Sequence, residues 1–437
     1  MSVRSLAATF VSASLLSAPA TAQTRADTTR TDTLEAVVVS ATRAPALRLT
    51  EPRRIDVVTA ADLRRTAADD APGALKRTAG VDVIEYPGAL AGVGIRGFRP
   101  EFSGISPRTL TLVDGRPAGS ANLATFNALG LERMEVLRGP ASALYGASAM
   151  AGVVNLVPRR SQGALRGGAR GAYGSFETSD VGAWAGGDLV PRVEFDADAA
   201  FFRRGADYRI GRGGFLGDAV DGERATRLFA DGTRETVDEP GAGIVRRHTR
   251  QETRSGALRL AYRIDQGMRI EARGDGFWAD GVETPGDLFF DTAQDGRKDL
   301  RRTGGELAVR GTRGRFAPLI RVYSTGERSG TWDVFAADPF VNFVSRSSSR
   351  GGQAQTAVAF GAHSLVAGVD AGTVRAESRR YRSADEEIGT YSPDSEVGTA
   401  AAFAEGRVAA LGGRLHATLG GRLDRTTLRL LETPLRT

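Results

Sequence analysis

The sequence predicts a mainly β protein: a compact α+β domain near the N-terminus, followed by a transmembrane antiparallel β-barrel that is present only in part. Three observations carry this expectation. After Pro158 the chain runs in stretches of roughly ten to fifteen residues that alternate apolar and polar positions with period two. Met268, Ile270 and Ala272 alternate with Arg269, Glu271 and Arg273; Val193, Phe195, Ala197, Ala199 and Phe201 with Glu194, Asp196 and Asp198; Leu415, Ala417 and Leu419 with His416, Thr418 and Gly420. An apolar face backed by a charged one suits a wall with lipid outside and water inside, and strands of soluble sheets are usually shorter, about 5–6 residues. The third observation is that short and mostly longer connections alternate along the same region, as the turns and external loops of a membrane barrel do.

Composition narrows the function classes. The chain has 437 residues and no cysteine, which removes disulfides, thiolate catalysis and Cys-based metal sites. Its net charge of +6 is carried almost wholly by arginine, Lys76 and Lys298 being the only lysines. Arginine-rich chains bind nucleic acid when the charge forms a stripe, but here Arg is interspersed with Asp and Glu, so no nucleic-acid partner is expected. No run of ~18 apolar residues follows the N-terminus, which argues against membrane-spanning helices and leaves a barrel open.

Residues 1–22 have a charged start at Arg4, an apolar core from Leu6 to Leu16 and a small-residue exit at Ala20-Thr21-Ala22, the pattern of a secretory signal. Residues 23–33 are polar, with little to bury, and are expected to be disordered. Leu34, Glu35, Ala36, Val37, Val38, Val39, Ser40, Ala41 and Thr42 then form a β-prone segment with no partner strand nearby in sequence. Such a peptide on a flexible tether can add to the sheet edge of another protein; the first strand of a soluble sheet would read the same way.

In the compact domain, residues 45–160, Thr59-Ala60-Ala61-Asp62 opens one short helix with a capping box and Asp70-Ala71-Pro72 opens another. Gly80 closes the second helix, Val81 to Ile84 is a strand, and Pro87-Gly88 turns it. Gly92-Val93-Gly94-Ile95-Arg96-Gly97 satisfies the G-x-G-x-x-G dinucleotide pattern, but Pro87 and Gly88 precede it and no long helix can start in Phe98 to Gly104, so that chemistry is not expected. Thr109 to Val113 alternates as a strand and ends in the turn dipeptide Asp114-Gly115. Leu131 to Pro158 reads as a charged strand, an Arg138-Gly139-Pro140 corner, a helical turn ending at Gly146 and an apolar strand.

This last stretch, LERMEVLRGPASALYGASAMAGVVNLVP, resembles the plug domain of TonB-dependent outer-membrane receptors, in which ERxEVLRGPxSALYGxxAxGGVVNxV is the most recognisable segment. PGALKRTAGVDV, the IRGF of Ile95 to Phe98 and TLVDGRPAG resemble further plug motifs, and Leu34 to Thr42 resembles the TonB box. The resemblance implies a Gram-negative outer-membrane location, TonB of the inner-membrane energy complex and outer-membrane lipid as partners, and a scarce small solute, with iron chelates leading and cobalamin, haem or an oligosaccharide behind. A non-transporting surface receptor or adhesin on the same scaffold is the rival. It implies no resident cofactor, and no enzyme: no nucleophile, acid–base pair or metal cluster stands out. His248, His363 and His416 lie far apart, and Asp291 to Gly296 has only part of a calcium-loop pattern.

By the same resemblance, the loops at Arg99–Arg108 and Ala118–Phe126 form the outward apices, with Arg99, Glu101, Phe102, Arg108, Asn122 and Phe126 as candidate ligand contacts; ordinary solvated loop residues would look no different. Arg96, Glu132, Glu135 and Arg138 are expected to form ion pairs seating the plug against the wall.

The wall, residues 161–437, divides into about eleven segments, at 164–174, 177–187, 192–203, 250–263, 267–279, 300–312, 316–329, 346–360, 363–378, 396–410 and 414–430. Plugged outer-membrane transporters close with 22 strands. The count therefore leads to the expectation that half a wall is absent and the sequence is partial, with residues 23–44 serving as leader and TonB box and no room there for an extra signalling domain.

Overall fold

The computed structural model describes residues 38–43, 46–47, 51–65, 71–78, 80–86, 88–102, 107–209, 225–229, 234–237, 245–246, 248–285, 290–291, 296–334 and 336–433. The signal, the polar leader and Leu34 to Val37 therefore lie outside the described residues, as does most of Asp291 to Gly296.

The described chain opens with β1 (Val38–Val39), and β2 (Ala46–Leu47), β3 (Ile55–Thr59), α1 (Ala60–Arg65) and α2 (Ala71–Leu75) follow in the plug. The capping box forms as expected: Thr59 N and Oγ donate to Asp62 Oδ2 at 2.9 and 2.7 Å, and Asp62 N donates back to Thr59 Oγ at 3.2 Å. The hairpin of β4 (Val81–Tyr86) and β5 (Leu90–Ile95) holds Gly92 and Gly94 in extended backbone. A Cβ on Gly94 would lie 2.0 Å from the Phe98 carbonyl oxygen, so the glycines serve a close backbone approach and not a phosphate.

The central sheet places β3, β8 (Leu131–Arg138), β9 (Gly152–Pro158), β6 (Thr109–Val113) and β7 (Arg116–Pro117) side by side, with β6 parallel to β9. Asp114 and Gly115 both take positive φ in the β6–β7 turn, which the Asp-Gly pair favours. All seven residues of β9 are buried, which is why it reads as an unbroken apolar run. Between β8 and β9, α3 (Ser142–Tyr145) ends at Gly146, whose φ is 78°. The plug core is formed by Leu75, Val93, Ile95, Met134, Val136, Val154 and Leu156.

The wall begins with β10 (Arg166–Gly174), β11 (Thr178–Val190) and β12 (Val193–Arg204). Short strands β13 (Tyr208–Arg209), β14 (Ala225–Phe229), β15 (Arg234–Val237) and β16 (Val245–Arg246) lie in the long connection that follows. Then come β17 (Gln251–Arg263), β18 (Met268–Thr284), the short β19 (Phe290–Asp291), β20 (Gly296–Gly311), β21 (Phe316–Asp333) and β22 (Phe340–Phe360). The series ends with β23 (His363–Ser383), the short β24 (Glu386–Gly389), β25 (Asp394–Ala410) and β26 (Leu415–Glu432).

Eleven long strands pair in sequence order, all antiparallel, as one sheet with β10 and β26 at its edges. Each expected segment finds its strand, but β18, β20, β21, β22 and β23 run further toward the long connections than alternation indicated. Beyond the stretches in which one face is apolar, neither face is consistently so, and periodicity fades while the hydrogen-bonded ladder continues.

The faces separate as the alternation requires. Ile270 is 40% and Leu260 44% exposed, while Glu271 and Arg259 between them are 4% and 2% exposed. The polar face of the wall is covered by the plug, and Leu112, Leu137, Leu144 and Val153 of the plug pack in one apolar cluster with Ala357, Val366 and Phe403 of the wall.

Candidate functional site

The segment that follows β1 enters the foot of the plug and is gripped by one carboxylate. Glu135, on β8, is fully buried. It accepts hydrogen bonds from Ser40 N at 2.9 Å, Ala41 N at 2.6 Å and Ser40 Oγ at 3.2 Å. Arg133 Nε donates to it at 2.8 Å and Asn155 Nδ2 at 3.2 Å. Strand alternation places Glu135 on the side of β8 where these donors converge, and charge-assisted bonds to backbone amides offset the cost of burying it.

The residues just beyond are tied to the wall. Arg43 donates to both carboxylate oxygens of Asp370 on β23, at 3.0 and 2.7 Å, and its carbonyl accepts from Gln355 Nε2 at 2.8 Å. Its guanidinium lies 4.5 Å from the centre of the Tyr145 ring and 4.2 Å from that of Phe403. Burial pushes the Tyr145 phenol up to about 12, the Arg43 charge opposing this only in part. Arg53 makes a second tie, a two-pronged pair with Glu405 at 2.9 and 2.7 Å, and also bonds Glu51, which Arg407 meets from the wall at 3.0 Å.

A third cluster surrounds the β6–β7 turn. Asp114 pairs with Arg160 at 2.5 Å and with Arg310 of the wall at 2.6 Å, and its carbonyl accepts from Arg321 at 2.8 Å. Burial alone would raise the Asp114 carboxyl, but Arg160, Arg310 and Arg321 outweigh it and hold the group well below the usual carboxylate range. Arg160 is raised from its ordinary value, its own burial opposed chiefly by Asp114 and Glu271. Nearby, Arg116 bonds Glu306 of β20 at 2.7 Å.

These residues are not the ones the motifs nominated. Glu135 holds the segment after β1, and Glu132 pairs with Arg133 at 2.5 Å. Arg138 pairs with Asp56 on β3, while Arg96 sits exposed at a corner with φ 58°. The physical reason is that β8 is an interior strand between β3 and β9, so its charged side chains meet plug neighbours first. The ties to the wall come instead from Arg43, Arg53, Glu51, Asp114, Arg116 and Arg160. The available signal was the inward phase of the wall strands, which holds Glu306, Asp370 and Glu405.

Of the apex candidates, Arg99 is exposed, and Arg108 pairs with Glu101, its N donating to Glu101 Oε2 at 2.8 Å. Phe102 packs edge-on to Tyr86 at 5.3 Å. Asn122 and Phe126 are interior. Asn122 caps a short turn, accepting from Ala124 N and Ala91 N at 3.2 and 2.9 Å and donating to the Ala89 carbonyl at 2.9 Å. Phe126 lies under the Arg302 guanidinium at 4.0 Å and lines a small, partly open cavity of about 30 Å³ between plug and wall. Val38 and Val39, expected to be without a partner, pair with Leu47 and Ala46. Among the described residues no group of His, Cys, Asp or Glu is arranged to hold a metal ion.

Residues 48–153 match the family model of the TonB-dependent receptor plug domain. The chain is 34% identical over 155 residues to the vitamin B12 transporter BtuB of Vibrio vulnificus, a match spanning 34% of this chain and 23% of that one. FpvA of P. aeruginosa, solved with bound pyoverdine and iron, superposes with a TM-score of 0.67 at 15% identity, covering 91% of this chain and 55% of that one. The siderophore receptor PirA of Acinetobacter baumannii gives a TM-score of 0.60 at 17% identity, covering 85% and 56%. The chain thus spans little more than half the length of these solved receptors. Residues 48–153 are thus a plug domain of the TonB-dependent receptor type, and the wall that follows it shares the fold of those receptors' barrels.

Proposed function

We propose that the protein is an outer-membrane receptor for energised uptake of a scarce solute, with an iron chelate of the siderophore class as the leading substrate. Residues 1–22 then serve as the export signal, 23–44 as leader and TonB box, 45–160 as plug and 161–437 as wall. TonB engages Leu34 to Thr42 by strand addition, and Arg99, Glu101, Phe102 and Arg108 contribute solute contacts at the apex. Energy comes from the inner membrane, so the reading assigns no catalytic residue.

The observation that carries the reading is the Glu135 clasp. A pull on the segment before Ser40 is delivered through Ser40 and Ala41 to a buried carboxylate in the middle of the plug sheet. Strand addition to Val38 and Val39 also requires parting them from Ala46 and Leu47, a two-residue ladder that contributes little. The iron-chelate class is supported by FpvA with its iron-loaded pyoverdine and by PirA. Cobalamin is the second reading, favoured by the match to a vitamin B12 transporter.

The test is uptake of a radiolabelled iron siderophore panel and of labelled cobalamin by cells expressing the full-length protein, with Val38→Pro as the uncoupled control. Accumulation of one iron chelate that Val38→Pro abolishes, with surface binding kept, is the expected result. Cobalamin accumulation alone would replace the substrate class. Uptake that survives Val38→Pro would remove the handle role, and binding with no uptake would favour a non-transporting receptor.

A further inference from the structure

We propose that the outward face of the wall carries a docking row for the phosphates of a membrane lipid, centred on Arg301, Arg328 and Arg346. The inference rests on the membrane-spanning reading above. Strand register assembles the row: Arg254 of β17 stands directly opposite Trp278 of β18, Trp278 opposite Arg301 of β20, Arg301 opposite Arg328 of β21, and Arg328 opposite Arg346 of β22. Directly opposed residues share one face of a sheet. All five are exposed, whereas Arg259, Arg302 and Arg321 occupy the alternate phase and are buried against the plug. The row therefore lies on the face that also carries Leu258, Leu260, Leu307, Ile320 and Val322.

Like charges directly opposite one another destabilise a sheet, and here two such oppositions follow in succession. Arg254 is relieved by Glu252 and Arg301 by Asp280, the latter at 3.0 Å. Glu377, opposite Arg346, is taken by Arg375. Among the described residues, neither Arg328 nor Arg346 has a carboxylate within ion-pair distance. An arrangement that breaks a pairing rule without internal compensation points to an anion supplied from outside.

Position identifies the anion. The aliphatic residues lie on the short-turn side of the row, and a register line of small residues, Gly256, Gly276, Thr303, Gly326 and Ser348, separates the two. The Trp278 indole folds over this line: a Cβ on Gly276 would lie 2.2 Å from it. A low shelf with an aromatic and a file of arginines above it, and aliphatic rows beneath, matches a headgroup border, where aromatic residues collect. Acyl chains would lie along Leu258, Leu260, Leu307 and Val322, and Arg328 and Arg346 would take phosphate oxygens in forked, charge-assisted bonds. A free phosphate would make no use of the aliphatic rows.

The test uses the full chain extracted in mild detergent and measures binding of a bisphosphorylated glycolipid, of its dephosphorylated form and of inorganic phosphate as competitor. The native protein should prefer the phosphorylated lipid. The Arg328→Gln/Arg346→Gln variant should bind it about thirtyfold more weakly, taking roughly 1 kcal/mol per arginine at an anionic surface. Arg328→Lys/Arg346→Lys should restore most of the affinity. Equal binding of the two lipids by the native protein, unchanged affinity in the Gln variant, or displacement by equimolar inorganic phosphate would each overturn the proposal. Recovery of the protein from cells without detergent would sink the membrane reading as well, whereas indifference of membrane-extracted protein to the phosphates sinks this inference alone.

Discussion

Glu135→Gln should release the segment after β1 while leaving the plug folded. The Glu135 carboxylate is ringed by donors: Ser40 N at 2.9 Å, Ala41 N at 2.6 Å, Arg133 Nε at 2.8 Å and Asn155 Nδ2 at 3.2 Å. A carboxylate fits because it only accepts; an amide of the same shape brings two N–H groups into that ring. One hydrogen bond to a charged group contributes about 1.5–3 kcal/mol, so weakening the pair to Ser40 and Ala41 destabilises the docked segment by roughly 3 kcal/mol. That corresponds to about a hundredfold rise in the population with the segment undocked. Amide hydrogen exchange reads it directly, with Ser40 and Ala41 as reporters and Val136 and Val154 of the plug core as references. Exchange of the two reporters should quicken about a hundredfold while the references hold. Native rates at Ser40 and Ala41 would refute the clasp. Equal acceleration at Val136 and Val154 would make Glu135 a stabiliser of the whole plug and not a clasp.

The other contacts give three more expectations. Breaking a buried ion pair from one side costs about 3–5 kcal/mol, so Arg43→Ala should lower the unfolding midpoint of the plug in calorimetry. Adding Asp370→Asn should cost less than the sum of the two single changes. Gly152→Ala should destabilise by about 1–3 kcal/mol in denaturant titration, because its Cβ would lie 2.4 Å from the Leu137 carbonyl oxygen, a backbone atom in a fully buried ladder. The depressed Asp114 carboxyl contributes stability that is fully present above its ordinary value of ~3.9 and is lost as pH falls through the lower folded value. An acid titration of plug–wall association should therefore stay flat down to about pH 4, and Asp114→Asn should abolish the part of the loss seen below that.

The wall was legible in the sequence because one period of two residues decides both element and face. Glu271 between Ile270 and Ala272 can point only to the face opposite theirs, and it is buried there while Ile270 is exposed. The plug's turns were legible for a different reason: Asp114-Gly115 and Gly146 take positive φ, which few residues adopt without strain. Partners were not legible. Alternation says that Asp370, Glu405 and Glu306 face inward, but which arginine each meets depends on how the plug is rotated inside the wall, and no local pattern encodes that. Asn122 and Phe126 were misplaced for a related reason. A loop composition looks solvated, yet Asn122 spends its side chain on three backbone groups and thereby folds the loop inward, taking Phe126 with it.

The same contacts divide the plug by what a pull would meet first. The segment at Ser40 and Ala41 is held by Glu135 on β8, and β8 pairs on one side with β3, which follows the Arg43 and Arg53 ties. On the other side β8 pairs with β9, and β9 runs parallel to β6, whose turn carries Asp114 into the cluster of Arg160, Arg310 and Arg321. Force applied before Ser40 therefore loads the clasp and the Arg43 and Arg53 ties before it reaches the Asp114 cluster. Arg43 and Arg53 each pair with only one or two carboxylates, Asp370 in the first case and Glu51 and Glu405 in the second, whereas three arginines converge on Asp114. The order of release that this implies is the β1–Arg53 side first, with the β6–β9 side still anchored to the wall, and Asp114→Asn should remove that order while Glu135→Gln should only lower its first step.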